Sequence, residues 1–146
     1  MAALFNRLGI SFQYPENWSI EEEKTSDNLV TVSAHSPTGA FWSIAIHPIA
    51  VDPQEMAEAV VGVMSQEYEQ LDSTPVSEHI AAFEADGFDM NFYCLDLTST
   101  AKVGCFQDED YTYVLFWQYE DRDETEVEPV FHAISASLTL NPRAVQ

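Results

Sequence analysis

The sequence predicts an α+β fold: a three-layer α/β/α sandwich whose antiparallel sheet carries a helix layer on each face. Three observations predict it. From Val76 to Tyr119, apolar and polar residues alternate with period two between turn-forming clusters, the pattern of an antiparallel meander. The later strands are apolar on both faces, with Phe88, Met90, Phe92 and Cys94 set against Tyr93, Leu95 and Leu97, so both faces need a cover. Two segments flanking the meander place apolar residues at helical spacing and can supply those covers.

Taken in order, Ile10–Tyr14 alternates Ile10, Phe12 and Tyr14 with small or polar residues and reads as the first strand, broken by Pro15. Glu21–Asn28 is polar and acidic and reads as a surface loop. Leu29–His35 and Phe41–His47 form a hairpin around Ser36-Pro37-Thr38-Gly39. Asp52-Pro53-Gln54-Glu55 starts a helix: Asp52 can cap free N–H groups, and Pro53 at the first helical position loses no bond. Ala57, Val60, Val61, Met64, Tyr68 and Leu71 give it an apolar face. The meander follows as Val76–Phe83, a turn at Asp86-Gly87, Phe88–Thr98, a turn at Ser99-Thr100, Ala101–Gln107, a turn at Asp108-Glu109-Asp110, and Tyr111–Tyr119. Thr125-Glu126-Val127-Glu128 has the form of a capping box, and Val127, Val130, Phe131, Ile134 and Leu138 share one helical face. Pro129 fits the opening turn, and Asn141-Pro142 stops the chain.

At 146 residues the chain is one domain, 1–146. A hydrophobic share of 46% can fill a core and argues against disorder. Charge narrows the partners. Twenty-five Asp and Glu face only Arg7, Lys24, Lys102, Arg122 and Arg143, for a net charge of −20. Phosphate backbones and anionic lipids bind through Lys and Arg clusters, so neither nucleic acid nor membrane is an expected partner. A basic protein partner is favoured, and identical chains should repel one another and stay monomeric. The first residues lack an apolar h-region, and two cysteines are too few for a disulfide scaffold, so the expected location is the cytoplasm. Asn17-Trp18-Ser19 spells a glycosylation acceptor, but no secretory context accompanies it.

Phe12-Gln13-Tyr14-Pro15-Glu16-Asn17-Trp18 resembles the aromatic-x-Tyr-Pro-x-x-Trp opening of the Mog1/PsbP-like proteins. The tail, from Tyr111-Thr112-Tyr113-Val114 through Glu128-Pro129-Val130-Phe131 to Ile134-Ser135-Ala136-Ser137-Leu138, is similar to that family's last strand and closing helix. The order of elements matches over nearly the whole chain. The resemblance implies the fold, with Tyr14, Pro15 and Trp18 as its determinants. It also implies a non-enzymatic binding role, since the family includes a Ran-GTPase-binding import factor, extrinsic photosystem II proteins, bacterial lipoproteins and chaperones of type VI secretion effectors.

No chemical motif competes with that reading. His35, His47, His79 and His132 are far apart in sequence with no HExxH spacing, and there is no GxSxG elbow, P-loop or GxGxxG. No cofactor, metal site or catalytic residue is expected. A two-residue turn at Ser99-Thr100 would set Cys94 opposite Cys105 as facing free thiols. The densest charge sits in two loops, Asp108, Glu109 and Asp110 at one end of a strand and Glu120, Asp121, Asp123 and Glu124 at the other, about 30 Å apart. These are the candidate contacts for a basic partner. Tyr111, Tyr113, Trp117 and Tyr119 form an aromatic stripe, read as core under a helix or, alternatively, as a groove for apolar helices. The expected function is a cytoplasmic protein-binding or adaptor domain. The alternatives are a chaperone for a secreted effector and a small-molecule or cation binder.

Overall fold

A computed structural model describes residues 2–141; Pro142 and Arg143 lie outside the described residues. The elements are β1 (Ala2–Arg7), β2 (Ile10–Pro15), β3 (Ser19–Lys24), β4 (Val30–His35), β5 (Phe41–His47), α1 (Pro53–Glu67), β6 (Asp72–Ile80), β7 (Phe83–Cys94), β8 (Leu97–Gln107), β9 (Thr112–Glu120), a 3-10 turn (Asp121–Asp123), α2 (Glu124–Ser137) and β10 (Thr139–Leu140). Seven strands form one antiparallel sheet in the order β3-β4-β5-β9-β8-β7-β6, and three form a second in the order β1-β2-β10.

This overturns the three-layer α/β/α sandwich. Strands take 53% of the described residues and helices 23%, arranged as two sheets and two helices. α1 packs over β7, β8 and the margin of β9, burying Ala57 and Met64 against Met90, Phe92, Val103 and Cys105. On the other face of the large sheet there is no plain helix layer. There the cover is mixed, because the small sheet lays Phe12 onto Trp42 with Phe5 stacked behind it, while α2 seats mainly on β2. The physical reason is economy of apolar surface. One short helix cannot cover Val32, Ala34, Trp42, Ile44, Leu115 and Trp117 together, and two hairpin strands extend the lid.

The large sheet separates two cores, as period-two side chains require. Trp42, Phe12, Tyr113 and Phe131 are among the largest fully buried side chains of the first. Trp18 is buried where the chain turns after Pro15: its backbone N–H donates to the Pro15 carbonyl at 3.0 Å, and its ring meets Phe131 edge-on at 5.7 Å.

α1 starts as the sequence dictates. Asp52 accepts from the Gln54 N–H at 3.3 Å and Pro53 opens the helix. α2 does not use Thr125 as its cap. The 3-10 turn leads straight into Glu124, and no side chain caps that end. Three other expectations are corrected. Ser19–Lys24 is an edge strand that replaces the first part of the Glu21–Asn28 loop, and Ala2–Arg7 adds a strand beyond those expected. The β6–β7 turn is Ala81-Ala82, between Ile80 and its partner Phe83, while Asp86-Gly87 lies inside β7. The β7–β8 turn is Leu95-Asp96, so Cys94 pairs with Leu97 and Cys105 with Asp86. The thiols do not face each other, and both are free.

Candidate functional site

One rung of the large sheet shows where the fold stays open. Ala34, Trp42, Trp117, Lys102, Asp89 and Thr74 face the same side on consecutive strands from β4 to β6. The first three are buried; from Lys102 outward the rung turns polar. The change falls where α2 ends its cover. Phe131 stacks on Trp117 at 5.5 Å and 14°, His132 meets the outer edge of that indole at 5.4 Å, and beyond them the sheet face carries charge.

Lys102 is the centre of that face. Its ammonium lies 3.0 Å from both Glu78 carboxylate oxygens, 3.5 Å from Asp89 and 5.6 Å from the Trp117 ring centre. Its side chain is only 16% exposed. Two carboxylates and a ring face neutralise the charge that burial would otherwise penalise. Beside it Thr100 links Asn91 at 3.1 Å and Asp121 at 2.6 Å. A pocket of about 270 Å³ opens between the β6 edge and α2, with Glu78, His79, Trp117, His132 and Ser135 in its lining. Among the described residues no three His, Cys, Asp or Glu gather into a metal-holding group.

The aromatic stripe divides. Tyr113, Trp117 and Tyr119 are buried, and Tyr111 is half-buried just before β9. Tyr113 stacks on Phe106 at 5.2 Å and donates to Asp108 at 2.8 Å. Tyr119 donates to Glu128 at 2.6 Å and to Glu124 at 3.1 Å. The outer edge of Trp117 borders the pocket beside α2, while Tyr111 and Tyr113 line a separate cleft with Asp108, Glu109 and Asp110.

The two acidic loops also divide, by what their carboxylates already hold. Asp108 accepts from the Asp110 and Tyr111 N–H groups and from the Tyr113 hydroxyl, so it builds its turn. Glu120 pairs with Arg122 at 2.7 Å, Asp121 accepts from Thr100, and Glu124 accepts from Tyr119. Glu109 and Asp110 are exposed, and Asp123 is half-buried. The loops stand at opposite ends of β9, and the structure does not bring them together. Sequence reasoning missed Lys102, Glu78, Asp89, His79 and His132 as neighbours, because the register across β6–β9 and the seating of α2 beside Trp117 unite them.

Burial, with the charge of Asp86 nearby, pushes the Cys105 thiol up to about 12. Burial and the carboxylates of Glu128 and Glu124 raise the Tyr119 phenol well above its usual range. Both groups stay neutral in the folded chain and ionise more readily when it unfolds. Their contribution is therefore complete below the ordinary thiol value of 9.0 and is lost as pH climbs from there toward 12. The urea midpoint should fall across that window, and Tyr119→Phe should flatten the fall. A thiol reagent should modify Cys94 in the native protein and Cys105 only after unfolding.

No protein-family model matches the chain, and no curated protein matches it. Solved structures do. Cyanobacterial PsbP (CyanoP) from Synechocystis sp. PCC 6803 is similar with a TM-score of 0.65 at 13% identity, over 95% of this chain and 92% of that one. LpqN of Mycobacterium tuberculosis, described as involved in cell envelope biogenesis, is similar with a TM-score of 0.55 at 12% identity, over 97% and 91%. A structure from Bacteroides thetaiotaomicron VPI-5482 gives 0.63 at 9% identity over 92% of this chain; the match spans 46% of that longer protein. At such identities the likeness concerns fold alone. It supports a PsbP/Mog1-like fold for this chain.

Proposed function

We propose that the chain is a non-enzymatic, monomeric protein-binding domain, an adaptor of the Mog1/PsbP-like kind, whose partner is basic. One observation carries the proposal: the acidic surplus has almost no internal counter-charge. All 25 Asp and Glu precede Pro142 and so lie among the described residues, where the cations are Arg7, Lys24, Lys102 and Arg122. Arg7 is paired with Glu22, Lys102 with Glu78 and Asp89, and Arg122 with Glu120. What remains is a strongly negative surface that attracts a cationic protein over distances of about a Debye length.

The test is association measured against salt. A partner captured at about 50 mM salt should be basic and should be released at several hundred millimolar. The variant Glu109→Gln/Asp110→Asn removes two exposed charges and spares Asp108, which the turn needs. It should slow association severalfold and leave dissociation nearly unchanged, as rim charges do. Recovery indifferent to salt and to the variant would defeat the reading.

A ligand-binding role is the second reading, and the pocket beside Trp117 favours it by bringing His79, His132 and Glu78 together. An effector chaperone gripping apolar helices has less support. The sheet face next to the aromatic stripe is occupied by Lys102, Asp89 and Glu78, which offer an apolar helix no seat.

A further inference from the structure

We infer that the tip of the β7–β8 hairpin is a docking point for an amphipathic basic segment of a partner protein. The hairpin outruns the sheet. β6 begins at Asp72 opposite Asn91 and β9 ends at Glu120 opposite Ser99, so among the described residues Tyr93–Thr98 has no neighbouring strand on either side. Its base is anchored where Tyr68 lies on Phe92 at 4.4 Å.

Three features at the tip work against the isolated fold. Leu95 and Asp96 form the two-residue turn with φ of 52° and 68°. That left-handed region is disfavoured for leucine, whereas Asn, Asp and Gly adopt it more readily, and hairpins of this kind ordinarily use Asn-Gly. Leu95 is also 91% exposed, the most exposed large apolar side chain described, with Tyr93 at 57% on the same arm. Finally, the C-terminal end of α1, where cations are favoured, has no basic residue in its last turn and is flanked by Glu67 and Glu69. Those acids and Asp96 rim a groove of about 480 Å³ against Tyr68, Tyr93 and Leu95.

An exposed leucine and unmatched carboxylates at one place are satisfied together by one occupant, which would account for a leucine held in so unfavourable a turn. Apolar side chains would cover Leu95 and Tyr93, and Lys or Arg would meet the carboxylates and the carbonyl end of the helix. A second copy of this chain fits poorly, because it brings the same acids and a net charge of −20. The inference goes beyond the proposed acidic docking surface, since it requires apolar contact at a defined residue.

Leu95→Asn separates docking from folding. Asparagine tolerates the left-handed turn, so the variant should unfold at an equal or higher urea midpoint while losing its partner; Leu95→Gly provides a second version. The probe is a fluorescein-labelled amphipathic helical peptide of leucine and lysine, followed by anisotropy, with a serine–lysine peptide of equal charge as control. The wild-type chain should bind the leucine–lysine peptide at least tenfold more tightly than either Leu95 variant does. It should also bind the serine–lysine control weakly. Equal binding by wild type and variants would overturn the inference. Equal binding of both peptides would overturn it too while leaving the charge-based reading standing. A wild-type dimer dispersed by Leu95→Asn would instead make the tip a self-interface. Sedimentation with phosphatidylcholine vesicles that depends on Leu95 would make it a lipid contact. Either result would overturn the inference.

Discussion

Replacing Trp42 with alanine is expected to lower the unfolding free energy by roughly 4–5 kcal/mol, the upper end for a buried large aromatic. Trp42 has no exposed surface and lies between Ala34 and Trp117 on its rung. It also ties three elements together. Its ring packs against Phe12 of the small sheet at 4.7 Å, and its indole N–H donates to Ser135 of α2 at 3.0 Å. Truncation opens a cavity where both sheets and α2 meet and strands the Ser135 hydroxyl. Trp42→Phe keeps most of the contact area and should cost about 1–2 kcal/mol, chiefly the lost hydrogen bond. Trp18→Ala should cost roughly 3 kcal/mol, because Trp18 lies nearer the surface at 8% exposure. Since whole domains are stable by only about 5–15 kcal/mol, Trp42→Ala should leave the fold near its threshold. A loss below about 2 kcal/mol in urea unfolding would mean that the small sheet does not seat on Trp42.

Elements whose cause is local were legible in the sequence. α1 is fixed by Asp52, Pro53 and an apolar face, all within one window. The β4–β5 hairpin follows from alternation around Ser36–Gly39, where the Ser36 hydroxyl accepts from the Ala40 N–H at 3.0 Å. Elements made by pairing were not legible. β3 presents Glu21, Glu22 and Glu23 with no apolar period, and its extended form comes from β4 beside it. As an edge strand its charges discourage a second sheet from adding on. The small sheet was half visible, through β2. Its partner β10 is brought to β2 from far along the chain, while β1 joins it through the two-residue turn Leu8-Gly9.

The candidate site was less legible than the fold. Composition alone conveyed the missing cations. The same composition gave no hint that Asp108 is absorbed by its own turn, or that Lys102 gathers Glu78, Asp89 and Trp117. Those four residues come from four strands, and only a fixed register joins them. In sequence Leu95 reads as strand interior, because alternation through Tyr93, Leu95 and Leu97 continues the pattern of β7. The hairpin reverses at Leu95 instead, which turns a core position into the most exposed leucine. Moving the turn from Ser99-Thr100 to Leu95-Asp96 is an even slip: side chains keep their sheet faces, but their partners change, so Cys94 meets Leu97 instead of Cys105.

Gly87→Ala is expected to cost roughly 3 kcal/mol, the upper end for overpacking. In sequence Asp86-Gly87 is the stronger turn signal, yet Gly87 sits mid-strand, paired with Val76 on one side and Gly104 on the other. The requirement is steric. A Cβ on Gly87 would run into the Val103 carbonyl oxygen and lie 2.9 Å from its carbonyl carbon and 3.1 Å from the Gly104 Cα. These are backbone atoms of the paired strand, so relief means parting β7 from β8 beneath α1. Gly104 provides the contrast. There a Cβ would meet the Ile80 Cδ1 at 2.6 Å, the free end of a side chain that can rotate away. Gly104→Ala should therefore cost about 1–2 kcal/mol. Urea unfolding ranks the two variants, and amide exchange should show the extra loss from Gly87→Ala concentrated in β6, β7 and β8. If Gly104→Ala proves the costlier change, the close approach of β7 to β8 is wrong, and the turn belongs at Asp86-Gly87 after all.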